Sequence, residues 1–269
     1  NIKILKEIHF PHSLGLLYSA FTYFCGFKIN SGEYKLMGLA SYGKPIYKKK
    51  ILDNLIDIKK DGSFRINQEY FNYSTGLTMT NQKFEKLFDH KVRKGEDEQI
   101  TQFHMDLASS IQEVLNYVMI KITNNLFDEY KIPNLCLAGG VALNCVTNGK
   151  IYNEKKFKNI WIQPSAGDAG GSIGAGLICW YHKLKKTRDV NPIDSMKGSF
   201  LGTEYSENEI EEVLIKNGAI YKKYSEEFIS QRRAMGELDH PDSSVVNLQN
   251  VSHNIKDMHF EGDNLLGTV

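Results

Sequence analysis

Glycine-rich segments carry the residues of this 269-residue chain that could do chemistry. In the segment LAGGVALN (residues 137–144), Gly139 and Gly140 separate a short apolar run from a predicted helix. Glycines let backbone N–H groups approach a ligand closely, and a helix N-terminus adds unpaired donors and partial positive charge. Such a turn suits a phosphate or a nucleotide, and Asn144 could hydrogen-bond a ribose or a phosphate. The structural alternative is a tight turn with Asn144 on the surface.

A second segment, PSAGDAGGSIGAG (residues 164–176), contains five glycines and three alanines. Small side chains at these positions allow another backbone or a flat ligand to come very close. Asp168 lies at the junction of loop and helix, where it could cap the helix or ligate a hard metal beside a phosphate. Because two such turns occur in tandem, we give the functional and the structural interpretation equal weight.

A third segment, SGEYKLMGLA (residues 31–40), is polar around a short apolar run and is punctuated by glycines. Lys35 could neutralise a phosphate as a point charge. The alternative is an exposed ion pair between Lys35 and Glu33, which would contribute little to stability.

The elements that position these segments follow from the spacing of apolar residues. Residues 99–130 form one apolar stripe and are predicted to be a long helix, in which His104 is a packed or solvated histidine rather than a ligand. Strand, glycine turn and helix then occur twice, which is typical of α/β architecture. The predicted elements are a buried helix at 11–27, an insertion of loops, helix and short strands at 46–98, strands at 134–138, 159–163 and 219–223, and helices at 141–152, 169–183 and 207–216.

Composition excludes several classes of protein. Hydrophobic residues make up 41% of the chain, charged residues 24%, and the net charge is +1. The chain is therefore not disordered throughout, and it lacks the basic excess of a nucleic-acid binder. The longest apolar run is too short to cross a bilayer, so we expect no membrane or nucleic-acid partner, no signal peptide and a cytoplasmic location. The cysteines are expected to be small buried residues: Cys25, Cys136, Cys145 and Cys179.

Four motifs, in this order, resemble the carbamoyltransferase family, which includes nodulation, cephamycin and tobramycin O-carbamoyltransferases. The motifs are PHSLGLLYSAFTYFCGF, SGEYKLMGLASYG, LCLAGGVALNCVTNGKI and IWIQPSAGDAGGSIGAG. The resemblance covers about residues 1–228. It implies an α/β fold like that of threonylcarbamoyl-adenosine synthases, which is a partial actin/hexokinase-like ATPase fold truncated at its N-terminal side.

The resemblance also implies a reaction. ATP and carbamoyl phosphate give a carbamoyl-adenylate, and a hydroxyl of a small acceptor, a sugar or a natural product, then takes the carbamoyl group. By resemblance, the metal is iron or another divalent ion. The positions that match the family's site are Gly139, Gly140 and Asn144 for the nucleotide-binding turn, Glu33 and Lys35 for the nucleotide and phosphate region, and Asp168 for the metal.

Two features that the resemblance implies do not occur in these residues. One is an upstream His-x-x-x-His pair that shares the metal, since His9 and His12 have a different spacing. The other is a downstream domain that processes carbamoyl phosphate and carries a Gly-Pro-Arg-Ala-Leu-Gly motif. Because the chain also opens on Asn1, we expect a fragment that does not catalyse carbamoyl transfer alone. The alternative is a nucleotide-binding module without transfer.

Residues 229–269 differ in character from the rest. GELDHP (236–241) and VSH (251–253) resemble the prohead core proteases of T4-like tailed phages. In that family His240 would be the catalytic base, and the nucleophilic serine would lie beyond residue 269. The resemblance implies a fragment of a maturation protease, and we favour a chimeric sequence over a natural fusion. Without the resemblance, the segment would be a polar, turn-rich extension.

Overall fold

The computed structural model describes residues 2–95, 98–189, 196 and 202–221, together with the backbone of four short strands after residue 234. The chain divides into two compact units, residues 1–199 and 200–269. In the first unit the helices are α1 (Leu14–Phe24), α2 (Glu33–Leu39), α3 (Lys48–Asn54), α4 (Gln82–Phe88), α5 (Gln102–Tyr130), α6 (Cys145–Asn153) and α7 (Ala169–Ile178), and the strands are β1 (Ile56–Ile58), β2 (Phe64–Ile66), β3 (Asn134–Leu137) and β4 (Asn159–Ile162).

Helix α5 is the centre of the first unit, and it confirms the long helix predicted at 99–130. Its apolar stripe is buried from Phe103 to Val118, and α1, α2 and α3 pack against the helix, whereas Ile122 and Leu126 are half-buried. At one end, phenylalanines of α1 and α4 pack edge to face, as in the pair Phe21 and Phe84 with ring centroids 5.2 Å apart. Each buried side chain of this kind stabilises the fold by about 1.5–3 kcal/mol.

The N-terminus of α5 explains His104. The imidazole Nδ1 accepts a hydrogen bond from the backbone N–H of Thr101 at 3.1 Å, and the Thr101 side chain caps the helix in return. The ring is buried beside Phe103. The prediction of a packed histidine is confirmed.

Residues 46–98 form loops, helices and one short hairpin, as predicted. Strands β1 and β2 pair antiparallel, with Ile56 opposite Ile66. In the sequence they follow α3 and precede α4. Helix α2 was not predicted, and only Leu36 among its seven residues, EYKLMGL, is buried.

Strands β3 and β4 pair in parallel, in a register that runs from Asn134 opposite Asn159 to Leu137 opposite Ile162. Because the strands are parallel, the two glycine turns that follow them lie at the same edge of the sheet. The predicted helix at 141–152 is divided in two, since a 3₁₀ turn (Gly140–Leu143) precedes α6 and Asn144 caps it. The predicted helix at 169–183 becomes α7 and a π-helical turn, Cys179–Lys183.

Two predictions were wrong. Cys25 is buried, but Cys136 on β3, Cys145 at the start of α6 and Cys179 just after α7 are exposed, because they lie at the surface of the described part of the unit. The candidate strand at 219–223 is also not observed over its described part. Residues 219–221 follow the helix Glu207–Lys216 and the turn at Gly218, whose φ is +64°.

The second unit contains α8 (Glu207–Lys216), which has the predicted bounds, and β5 (Met235–Glu237), β6 (Val251–Asn254), β7 (Asp257–Glu261) and β8 (Asn264–Thr268). The strands form two antiparallel pairs, β5 with β6 and β7 with β8. His240 lies outside the described residues. Among the helices that are described, none combines the length and the apolar character needed to cross a bilayer.

Candidate functional site

A cleft of about 700 Å³ lies where α1 and α2 face the turn after β3 and the loop after β4. Its volume falls in the range of about 300–1,000 Å³ that is typical of small-molecule sites. The cleft brings together four of the six residues predicted to bind ligands, namely Glu33, Gly140, Asn144 and Asp168. Hydroxyl groups complete its polar lining on the side of α1 and α2: Ser13, Ser19, Ser31 and Tyr34.

The turn after β3 has the backbone geometry that the sequence predicted. Gly139 has φ +100° and ψ 166°, a conformation that is open essentially to glycine alone. Its N–H donates to the carbonyl of Ala166 at 2.6 Å, which joins this turn to the loop after β4. Apart from the adjacent residues in the chain, no heavy atom of the described residues lies within 4 Å of a Cβ built at Gly139 or Gly140. The backbone of the turn is therefore open to a ligand.

Asn144 serves chiefly as a structural residue. Its Oδ1 accepts from the backbone N–H of Thr147 at 2.9 Å, which caps α6. Its amide also exchanges two hydrogen bonds with Gln112: Nδ2 donates at 2.9 Å, and Oδ1 accepts at 3.1 Å. These bonds use both acceptor positions of Oδ1 and one of the two Nδ2 hydrogens. The remaining Nδ2 hydrogen is directed to the Tyr18 phenol, so Asn144 offers a ligand no spare donor.

Glu33 presents a partly free carboxylate to the cleft. Its Oε1 accepts both from the Ser19 hydroxyl at 2.7 Å and from the Asn30 backbone N–H at 2.9 Å. The other oxygen, Oε2, has no hydrogen-bond partner among the described residues. It remains available as an acceptor for hydroxyl groups of a ligand.

Lys35 does not line the cleft. Two residues along a helix correspond to a rotation of about 200°, so Lys35 and Glu33 lie on opposite sides of α2. The Lys35 ammonium lies 6.0 Å from the centroid of the Tyr34 ring. Its predicted role at a phosphate stays a prediction.

Asp168 lies at the N-terminus of α7 and is exposed. Its backbone is already helical, with φ −58° and ψ −31°, and its side chain makes no capping hydrogen bond. The capping interpretation therefore has no hydrogen bond to support it. If Asp168 binds a metal ion, other side chains that can ligate the metal should lie close to it. No group of three His, Cys, Asp or Glu side chains that could hold a metal ion occurs within the described ranges. The residues present do not fit a complete metal site.

A buried polar cluster behind the cleft was missed by sequence reasoning. Tyr18 and Gln112 lie on the apolar faces of α1 and α5, and the Tyr18 hydroxyl donates to Gln112 Oε1 at 3.0 Å. Burial raises the pKa of the Tyr18 phenol, although its hydrogen bond with Asn144 opposes that rise. Tyr18 and Gln112 could have been found in the sequence as polar residues within apolar stripes. Buried polar groups are almost always hydrogen-bonded, so such residues are expected to have partners.

A second groove, of about 560 Å³, lies between α3, the β1–β2 hairpin and α5. It is lined by Asp53, Asp57, Arg65 and Tyr117 among others, and it contains none of the predicted ligand residues. Tyr117 is flanked by two lysine ammonium groups, Lys48 and Lys121, at 5.6 and 5.3 Å from its ring centroid. Of these two clefts, only the first contains any of the predicted ligand residues.

Comparison with known proteins places the glycine turns in a family context. Residues 1–177 match the family model described as carbamoyltransferase N-terminus. An uncharacterized protein of Synechocystis, sll1178, is 58% identical over 223 residues, which cover 82% of this chain and 36% of that protein.

Two nodulation proteins are also similar. NolNO of Sinorhizobium fredii is 35% identical over 66% of this chain and 24% of its own length. NolO of Bradyrhizobium diazoefficiens is 32% identical over 65% of this chain and 30% of its own length. The chain thus spans about a quarter to a third of the length of these relatives. The family model covers well over half of the chain, so the chain belongs to the carbamoyltransferase family, in the region of its N-terminus.

Proposed function

We propose that the cleft binds ATP, and that the chain supplies the nucleotide-binding part of an ATP-dependent O-carbamoyltransferase with an actin/hexokinase-like ATPase fold. The observation that carries this proposal is the convergence of Gly140, Asn144, Glu33 and Asp168 on one cleft. These residues come from three separate parts of the sequence, and the family membership of the chain supports a common purpose for them.

The backbone of the β3 turn is the part of the site suited to phosphate. Gly140 lines the cleft and has no Cβ, and the 3₁₀ turn and α6 follow directly. The N–H of Gly139 is used by the carbonyl of Ala166, so we assign the phosphate contact to the backbone that follows Gly139 in the turn. Backbone donors at such a turn stabilise negative charge on phosphate oxygens without rearrangement during the reaction.

The opposite wall is suited to the nucleoside. Glu33 Oε2 is an acceptor for ligand hydroxyls, and Tyr34, which is 46% exposed, offers an aromatic surface. An acceptor beside an apolar surface fixes the orientation of a ligand that carries both hydroxyls and a flat ring.

In the proposed reaction, water releases phosphate from carbamoyl phosphate, and the resulting carbamate displaces pyrophosphate from ATP to give a carbamoyl-adenylate. A hydroxyl of a small acceptor, a sugar or a natural product, then takes the carbamoyl group and releases AMP. A domain that processes carbamoyl phosphate is the proposed partner of this chain. The family resemblance adds iron or another divalent metal, for which Asp168 would supply one carboxylate. Because the described residues do not complete such a site, no step is assigned to the metal.

Pyrophosphate release tests the proposal. A longer form of the protein, extended to include the carbamoyl-phosphate-processing domain, should release pyrophosphate from ATP only when carbamoyl phosphate is present. The 269-residue chain should bind ATP but not carbamoylate an acceptor. ATP binding by the longer form without pyrophosphate release would instead identify a nucleotide-binding module. Acceptor carbamoylation by the 269-residue chain would contradict the assignment of a fragment.

A further inference from the structure

The cleft is backed by a buried network of polar side chains centred on Gln112. Its Oε1 accepts from the Tyr18 hydroxyl at 3.0 Å and from Asn144 Nδ2 at 2.9 Å. Its Nε2 lies within hydrogen-bond distance of three acceptors, Asn116 Oδ1 at 3.0 Å, Asn144 Oδ1 at 3.1 Å and Thr147 Oγ1 at 3.1 Å. All five residues are at most 8% exposed.

The position of Gln112 gives this network a role in the geometry of the cleft. Tyr18 lies on α1 and Asn144 begins α6, and both residues line the cleft. Gln112 lies between them on α5 and bonds both through the same carboxamide. One buried side chain thus links the two cleft walls from behind.

The donors and acceptors around position 112 also require an amide side chain there. Oε1 faces two donors, whereas Nε2 faces only acceptors, so a side chain at this position must accept at one atom and donate at the other. Within the described residues, the hydroxyl and carboxamide groups of the network are all partnered by one another or by Glu113, which accepts from Asn116 Nδ2 at 3.0 Å. A purely apolar packing role would not require this match of donors and acceptors.

We propose that Gln112 is a positioning residue for the nucleotide: it holds Asn144, and with it the 139–144 turn, at a fixed distance from α1. The effect on ATP rests on the proposed function. Gln112→Glu keeps the size of the side chain and the acceptor for Tyr18. It replaces the donor Nε2 with an oxygen that faces the oxygens of Asn144 and Thr147. The turn and the cap of α6 should then move away from α1.

Two measurements test this role in the full chain. The first is the dissociation constant of ATP, which should rise at least about tenfold in Gln112→Glu. A tenfold rise corresponds to the free energy of about one well-placed hydrogen bond. The second is hydrogen exchange at the Thr147 amide, which Asn144 Oδ1 protects. Its exchange should become faster in the variant.

Ser110→Ala is the matched control on the same helix. The Ser110 hydroxyl is fully buried, donates to the Asp106 carbonyl at 2.6 Å and accepts from the Tyr47 N–H at 3.0 Å, but it does not line the cleft. Its removal should lower the melting temperature and leave both ATP affinity and Thr147 exchange unchanged. Where Gln112→Glu fails to fold, Gln112→Met, which adds no charge, replaces it.

The outcomes separate this inference from the proposed function. An ATP dissociation constant within twofold of the wild type in the Gln112 variant would overturn the positioning role. Failure of the wild-type chain to bind ATP would overturn the proposed function. In that case Thr147 exchange still decides whether Gln112 holds the turn, and an unchanged rate would overturn that as well.

Discussion

The backbone N–H of Gly139 donates to the carbonyl of Ala166 over 2.6 Å, which ties the turn after β3 to the loop after β4. The two glycine-rich segments are therefore one structure at the edge of the sheet, although 27 positions separate these residues in the sequence (166 − 139). Because the bond uses the backbone of Gly139, it depends on the φ of +100° at that residue.

Gly139→Ala tests the importance of this backbone geometry. A Cβ there would meet no neighbour, so its whole cost is conformational, of about 1–3 kcal/mol. We expect urea denaturation to show a loss of stability in that range, or a relaxed turn with weaker ATP binding. Gly171→Ala in α7 is the control, since it also meets open space but has a helical backbone. It should be stabilising by about 0.5–1 kcal/mol. Equal effects at the two positions would contradict the account.

Asp168→Asn separates a ligand-binding carboxylate from a helix cap. Because the Asp168 side chain makes no capping hydrogen bond, the substitution removes only its charge near the N-terminus of α7. The expected loss of stability is at most about 1 kcal/mol. In the longer form of the protein, metal-dependent ATP binding should fall, because Asp168 would supply a carboxylate to the metal. Thermal denaturation and calorimetric titration measure the two effects. A clear loss of stability with affinity intact would restore the capping interpretation.

Glu33→Gln compared with Lys35→Gln tests which face of α2 the ligand contacts. In the Glu33 variant, the amide oxygen can still accept from Ser19 and Asn30, so the fold should be retained. The acceptor at Oε2 is lost, and we expect ATP affinity to fall about tenfold. Lys35→Gln, on the opposite side, should change affinity less than twofold. A large effect at Lys35 and none at Glu33 would reverse our assignment of the cleft wall.

His104 should make stability depend on pH. Burial, followed by the nearby Arg93 charge, lowers the pKa of the imidazole below its ordinary value. The unfolded chain therefore binds the proton more readily, and stability rises with pH between the folded and the unfolded pKa. The contribution of His104 to the free energy of unfolding is complete above about pH 6.5 and is lost as the pH falls below that value.

His104→Gln provides the measurement. Glutamine can make the same capping bond to the backbone N–H of Thr101 without titrating. Urea denaturation between pH 5 and pH 8 should show a flatter profile in this variant than in the wild type. An unchanged slope in His104→Gln would contradict the assignment.

Much of the fold could be predicted from local patterns. The apolar stripe of α5 and the strand–turn–helix units around β3 and β4 carry their periodicity in contiguous residues, so their positions agree with the structure to within a few residues. Helix α2 escaped prediction because it buries only one residue, Leu36, and contains a glycine, Gly38. Its formation depends on packing against α5, which no local pattern reveals.

The site was predicted in its residue types but not in its assembly. The β3 turn was recognised from its glycines, because their conformational freedom is a property of the residue itself. Gln112 and Asn144 are 32 positions apart in the sequence, and no local sequence pattern predicts their hydrogen bonds. Asn144 was interpreted as a ligand residue, whereas most of its hydrogen-bonding capacity is used within the protein.

Calorimetric titration of ATP into the chain and into Gly140→Leu tests the central claim most directly. Gly140 lines the cleft and faces open space, so a leucine there should fill the cleft without disturbing the fold. Gly149→Leu, on α6 outside the cleft lining and equally open, is the control. The account predicts saturable binding of one ATP by the wild type and by Gly149→Leu, and its loss in Gly140→Leu. Equal binding by all three chains, or none by the wild type, would contradict it.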